Sequence, residues 1–173
     1  MMLLVTIEFA GKREIGRLCD QLEARFHTEV KVTRCAFDSR AFLDLDRNQY
    51  HSSAIIERLE QDLQTGDSKV LAVTGLDLYI PILTFVFGEA RLNGRCALVS
   101  SYRLDNKFYG LPANPALLQE RLLKESIHEL GHSYGLLHCH NQECVMKSST
   151  YVEEIDFKSS RFCEKCREKL VKI

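Results

Sequence analysis

Apolar residues open the chain as a short β-rich run at 2–9 and then settle into a helical rhythm. Ile15, Leu18, Cys19, Leu22 and Phe26 recur at three-, four- and seven-residue offsets, which lays one apolar stripe along a helix. Residues 29–36 alternate Val30 and Val32 with polar neighbours, the period of a half-buried strand. A second amphipathic helix is marked by Ile55, Ile56, Leu59 and Leu63, and the tetrapeptide TGDS at 65–68 closes it with a turn. The run KVLAV at 69–73 has no polar interruption, as expected of a central strand covered on both faces. Two more strands are expected at 83–90 and 96–104, with Asn93-Gly94 between them favouring a tight antiparallel reversal. The β-α-β-α-β order before them predicts an α/β fold whose mixed sheet is mostly parallel, with an antiparallel edge strand added.

A long helix follows. Asn114 is a good N-cap and Pro115 suits the first helical position, where no backbone donor is needed. Leu118, Leu122, Leu123, Ile127 and Leu130 form its apolar positions, and Gly135 is expected to end it in a left-handed C-cap. Beyond it the pattern predicts little regular structure until a final helix at 164–173.

Composition narrows the class. With 173 residues, 45% apolar, 27% charged and only three prolines, the chain is an ordinary globular protein, not a disordered or fibrous one. The net charge of −1 gives no global field for nucleic acid or an anionic membrane. The opening run MMLLVTIEF lacks a basic flank and a small-residue cleavage site, so it reads as a strand and not a signal peptide. No apolar stretch is long enough for a membrane helix, and a cytoplasmic location is expected.

The chemistry concentrates in HELGHSYGLLH, from His128 to His138. His128 and His132 are four apart, so both imidazoles lie on one helix face and reach a single ion. Glu129 lies beside them without occupying a coordination position. Gly135 lets the chain turn so that His138 can return as a third ligand. Three nitrogens at about 2.0–2.1 Å leave a fourth position for water, the pattern of a catalytic zinc. Such an ion acidifies its water and polarises a carbonyl, with Glu129 as general base. A bare H-E-x-x-H also occurs by chance, but chance does not account for the glycine and third histidine that follow. His140 could compete for the ion and is read as a surface neighbour.

The seven cysteines are unevenly placed. Cys19, Cys35 and Cys96 are scattered and read as small buried hydrophobes, whereas Cys139, Cys144, Cys163 and Cys166 cluster as C-x4-C and C-x2-C. Four thiolates in two knuckles match a closed, structural zinc site. Two disulfides are the alternative, which a reducing compartment disfavours.

HELGHSYGLLHCHNQECVM, closed by FCEKC, resembles the archaemetzincins, a branch of the metzincin zinc metallopeptidases. The resemblance implies a metzincin-like fold with an active-site helix. It also implies a catalytic zinc on His128, His132 and His138, a second zinc on the four clustered cysteines, and Glu129 as the base. Met146 falls where metzincins place the methionine of the Met-turn beneath the metal. Extended substrate is expected to pair with the antiparallel edge strand, for which residues 83–90 are the candidate. Ser148 stands where some metzincins carry a tyrosine ligand, which argues against a tyrosine switch. No pro-segment cysteine motif is visible.

One compact catalytic unit is expected, divided into residues 1–135 with sheet, backing helices and active-site helix, and 136–173 with the third histidine, the Met-turn and the cysteine site. The expected activity is metal-dependent peptide-bond hydrolysis by a monomer acting on peptide or protein substrates, with no nucleic-acid or membrane partner. A zinc-stabilised protein-interaction module is the alternative. From Lys147 onward Lys+Arg exceed Asp+Glu by only two, too few to favour nucleic acid. Phe108 and Tyr109, in the loop at 105–114, either line a substrate pocket or anchor packing.

Overall fold

The computed structural model describes residues 1–34, 38–63 and 66–170. Its main sheet contains β1 (Met2–Ile7), β2 (Val30–Arg34), β5 (Lys69–Thr74), β7 (Gly88–Ala90) and β8 (Cys96–Ser100), in the order β2-β1-β5-β8-β7. The first four in that order run parallel, and β7 is antiparallel to β8 at the edge. A smaller sheet is made by β3 (Leu43–Asp44), β4 (Gln49–His51) and β6 (Leu78–Tyr79). The helices are α1 (Lys12–Phe26), α2 (Ser52–Asp62), α3 (Pro115–Ser133), α4 (Val152–Phe157) and α5 (Glu164–Leu170).

The alternation of β5 shows why the sheet needs cover on both sides. Leu71 and Val73 pack with Leu18 and Leu22 of α1 and Leu122, Ile127 and Leu130 of α3. Val70 and Ala72 pack on the opposite face with Ile55, Ile56 and Leu59 of α2. The result is a helix-sheet-helix sandwich, with α3 crossing the sheet near its antiparallel edge.

The expected boundaries shift in places. The strand expected at 83–90 is regular only over Gly88–Ala90. Pro81 lacks a donor, and the Arg47 guanidinium takes the carbonyls of Leu83 at 2.7 Å and Thr84 at 3.0 Å. Side chains thus occupy acceptors that a neighbouring strand would use. The strand expected at 96–104 stops at Ser100, whose hydroxyl accepts the Tyr102 N–H at 3.0 Å and turns the chain into a short 3-10 helix at Tyr102–Leu104. The small sheet and the six-residue α4 are additions to the expected pattern. Cys35, part of the turn at 65–68 and the last three residues of the final helix lie outside the described residues. Among the described residues no helix is long and apolar enough to cross a membrane.

Candidate metal centre

Helix α3 is capped as its sequence requires. The Asn114 side chain accepts the Leu117 N–H at 3.1 Å, with Pro115 in the first turn. At the other end Gly135 has φ +85°, a conformation that disfavours any residue with a Cβ. Its N–H bonds the His132 carbonyl at 2.8 Å, and the Leu136 N–H bonds the Gly131 carbonyl at 2.9 Å. These two bonds are a Schellman motif, and they turn the chain back toward the helix so that His138 faces His128 and His132.

The three histidines converge. Their potential ligand atoms lie within 4.8 Å of one another. The His128 Nδ1 lies 2.8 Å from the Val145 carbonyl and the His132 Nδ1 lies 2.7 Å from the Leu136 carbonyl. A carbonyl only accepts, so both Nδ1 atoms carry the proton and both Nε2 atoms present lone pairs. Those two Nε2 atoms face each other at 3.1 Å. Opposed lone pairs repel unless a cation lies between them, and nitrogens about 2.05 Å from a tetrahedral ion would be roughly 3.3 Å apart. Burial lowers the pKa of all three imidazoles, and the Lys158 ammonium lowers it further. The neutral, ligating form is therefore the favoured one. The donor set fits a divalent zinc-type ion, with backbone carbonyls fixing ring orientation.

Glu129 is buried beside them. Burial pushes its carboxyl well above the ordinary range, Glu125 pushes the same way, and Lys158 pulls it back. A carboxyl with a raised affinity for protons is of the kind that can transfer them near neutrality. Edge strand β7 passes directly over it: a Cβ on Gly88 would lie 2.7 Å from both the Glu129 Cγ and the Leu98 carbonyl oxygen. Gly88→Ala is therefore expected to displace Glu129, lowering kcat about 10²-fold with metal content unchanged, as enzyme kinetics and metal analysis would show.

Met146 is buried against the helix at Gly131, where a Cβ would overlap the Met146 sulfur. The glycine within HELGH thus makes room for a thioether. Met146 belongs to the same buried cluster as Val145, Leu130 and Phe162. His140 is exposed, outside the histidine cluster, and Ser148 is exposed as well. Phe108 and Tyr109 pack around Arg103: its guanidinium lies 4.6 Å from the Phe108 ring centre, and the Tyr109 hydroxyl donates to its carbonyl at 2.9 Å. Both rings nevertheless remain exposed.

Cys139, Cys144, Cys163 and Cys166 form a second convergent group. Sulfurs about 2.3 Å from a central zinc sit at the corners of a tetrahedron whose edge is about 3.8 Å. The Cys139 and Cys163 sulfurs are 3.8 Å apart, as are those of Cys144 and Cys166. A disulfide needs about 2.05 Å, and these thiols are free. Burial would raise the Cys163 thiol, but the Cys166 N–H and neighbouring sulfurs outweigh it and bring it down to about 7. Of the scattered cysteines, Cys96 is buried and its thiol is pushed up to about 11 by that burial, whereas Cys19 is only partly buried and donates to the Val30 carbonyl.

Two groups escaped the motif reading. Lys158 is fully buried, with its ammonium 2.8 Å from a Glu125 carboxylate oxygen. The periodicity of α3 places Glu125 one turn before Glu129, but nothing local in the sequence points to Lys158 as its partner.

The fold and the histidine centre together define a zinc metallopeptidase. The model of Peptidase family M54 matches residues 28–172. An archaemetzincin from Methanocaldococcus jannaschii is 46% identical over 127 residues, covering 73% of this chain and 69% of that protein. The crystal structure of archaemetzincin from Methanopyrus kandleri superposes with a TM-score of 0.82 at 38% identity, covering 99% of this chain and 94% of that one. A zinc-dependent peptidase from Methanocorpusculum labreanum gives 0.84 at 30% identity, covering 98% of this chain and 100% of that one. The chain belongs to Peptidase family M54, the archaemetzincins.

Proposed function

We propose that His128, His132 and His138 hold a catalytic zinc, that Glu129 is the general base of peptide-bond hydrolysis, and that the four clustered cysteines hold a second, structural zinc. The observation that carries the reading is the pair of Nε2 lone pairs facing each other at 3.1 Å while carbonyls hold both Nδ1 protons.

Zinc bound there supplies a Lewis acid that brings the pKa of a coordinated water from about 15.7 toward about 7. Glu129 accepts a proton as the water oxygen bonds to the scissile carbonyl carbon. It then delivers that proton to the amide nitrogen as the C–N bond breaks, so no covalent enzyme intermediate is needed. β7 is the last strand of the main sheet and lies over Glu129. Its free edge offers extended substrate a main-chain partner beside the reacting carbonyl. Met146 takes the place of the Met-turn methionine, filling the space under the histidines. In this reading residues 1–135 supply the sheet and the base, and 136–173 supply the third histidine and the cysteine site.

Treatment with a chelator that strips the open histidine site is expected to abolish cleavage of a peptide library. One equivalent of zinc is expected to restore it while the cysteine-bound ion stays in place. Cleavage that persists after the histidine zinc is gone would refute the reading.

A further inference from the structure

We propose that Lys158 is a positioning residue of the metal centre, tying the active-site helix to the turn beneath the histidines. The inference rests on the histidine zinc site proposed above. The Lys158 ammonium reaches two elements at once: a Glu125 carboxylate oxygen on α3 at 2.8 Å, and the Lys147 carbonyl, which accepts from it at 3.1 Å. Glu125 lies one turn before Glu129 and three residues before His128. Lys147 directly follows Met146, and Val145, just before it, supplies the carbonyl that orients His128. A single side chain therefore sets the spacing between the helix that carries two ligands and the base, and the turn that fixes one ligand's ring.

The surrounding contacts keep Lys158 in place. Two residues earlier, Asp156 accepts from the Arg121 Nε and Nη2, both at 2.7 Å, and its carbonyl accepts from the Lys124 Nζ at 3.1 Å. Arg121, Lys124 and Glu125 share one face of α3, so residues 156 and 158 both point at that face. Phe157 between them is left 84% exposed. The ion pair is a poor choice for stability alone. Both partners are at most about 5% exposed, and desolvating two charges often costs as much as their attraction returns, so an apolar pair would hold the segment equally well. What an ammonium adds is a charge held against a carboxylate together with a donor to a carbonyl, at a defined separation. Groups that orient ligands from behind typically change metal affinity or activity by about 10–100-fold when removed.

The test compares wild type, Lys158→Met and the double variant Glu125→Gln with Lys158→Met, which leaves no unpaired charge. Zinc affinity at the histidine site is measured by chelator competition, alongside the visible spectrum of protein carrying Co2+ there and a separate determination of kcat and KM. Both variants are expected to keep the cysteine zinc, to bind the histidine zinc about 10-fold or more weakly, and to show a shifted Co2+ spectrum. A fall in kcat with KM nearly unchanged is expected to accompany these losses. Wild-type affinity and spectrum in either folded variant would overturn the proposal. If neither variant folds, Lys158 serves folding and the proposal is likewise overturned. Failure of the wild type itself to take up metal at the histidines would instead strike the reading on which the inference rests.

Discussion

Glu129→Gln is expected to lower kcat by roughly 10²–10⁴, the usual contribution of a general base, while both zinc ions stay bound. Glutamine keeps the shape of glutamate but cannot accept a proton from water. The carboxylate occupies no place in the histidine donor set, so metal content is insulated from the substitution. Stability of the zinc-free protein is expected to rise. Burial holds the Glu129 pKa above its ordinary value, so at neutral pH the folded state binds a proton more strongly than the unfolded state does. That elevated pKa favours folding below the unfolded value and opposes it as pH climbs past it, and glutamine removes the opposition. Peptidase assays, zinc analysis and thermal unfolding near neutral pH check all three effects. Full activity in the variant would remove Glu129 from the mechanism.

Cys163→Ser is expected to have the largest effect on stability. A structural zinc contributes on the order of 10 kcal/mol of binding free energy, comparable to the ~5–15 kcal/mol by which a whole domain is stable. The segment that the four cysteines span has few regular elements beyond α4 and α5. The damage is expected to reach the histidine centre, because Cys139 directly follows His138 and its N–H bonds the Met146 carbonyl at 2.9 Å. Val145, whose carbonyl orients His128, is bonded through its own N–H to the Arg161 carbonyl at 2.9 Å. The measurements are zinc content, melting temperature and limited proteolysis across residues 139–166. A variant that melts with wild type and retains two ions would show that the cysteines do not hold a structural metal.

The spacing of the candidate site's residues was more legible in the sequence than the long-range contacts around them. Residues spaced i and i+4 on a helix share a face whatever the rest of the chain does, so His128 and His132 reveal themselves locally, as do Asn114 and Gly135 at the helix ends. The C-x4-C and C-x2-C spacings are equally local. What could not be read depends on partners distant in the chain. Leu83 and Thr84 look like strand residues until Arg47 takes their carbonyls. Gly88 is an ordinary glycine until Glu129 lies against it. Lys158 has the sequence appearance of a surface lysine, and only the packing of α4 on α3 buries it with Glu125. Helix α4, at six residues, is too short to establish a period of its own.

Zinc-edge anomalous diffraction from crystals of the protein tests the central claim most directly. Two peaks are expected, one about 2.0–2.1 Å from the three histidine nitrogens and one about 2.3 Å from the four cysteine sulfurs. A histidine centre without a peak after zinc loading, or a single peak at the cysteines, would contradict the account.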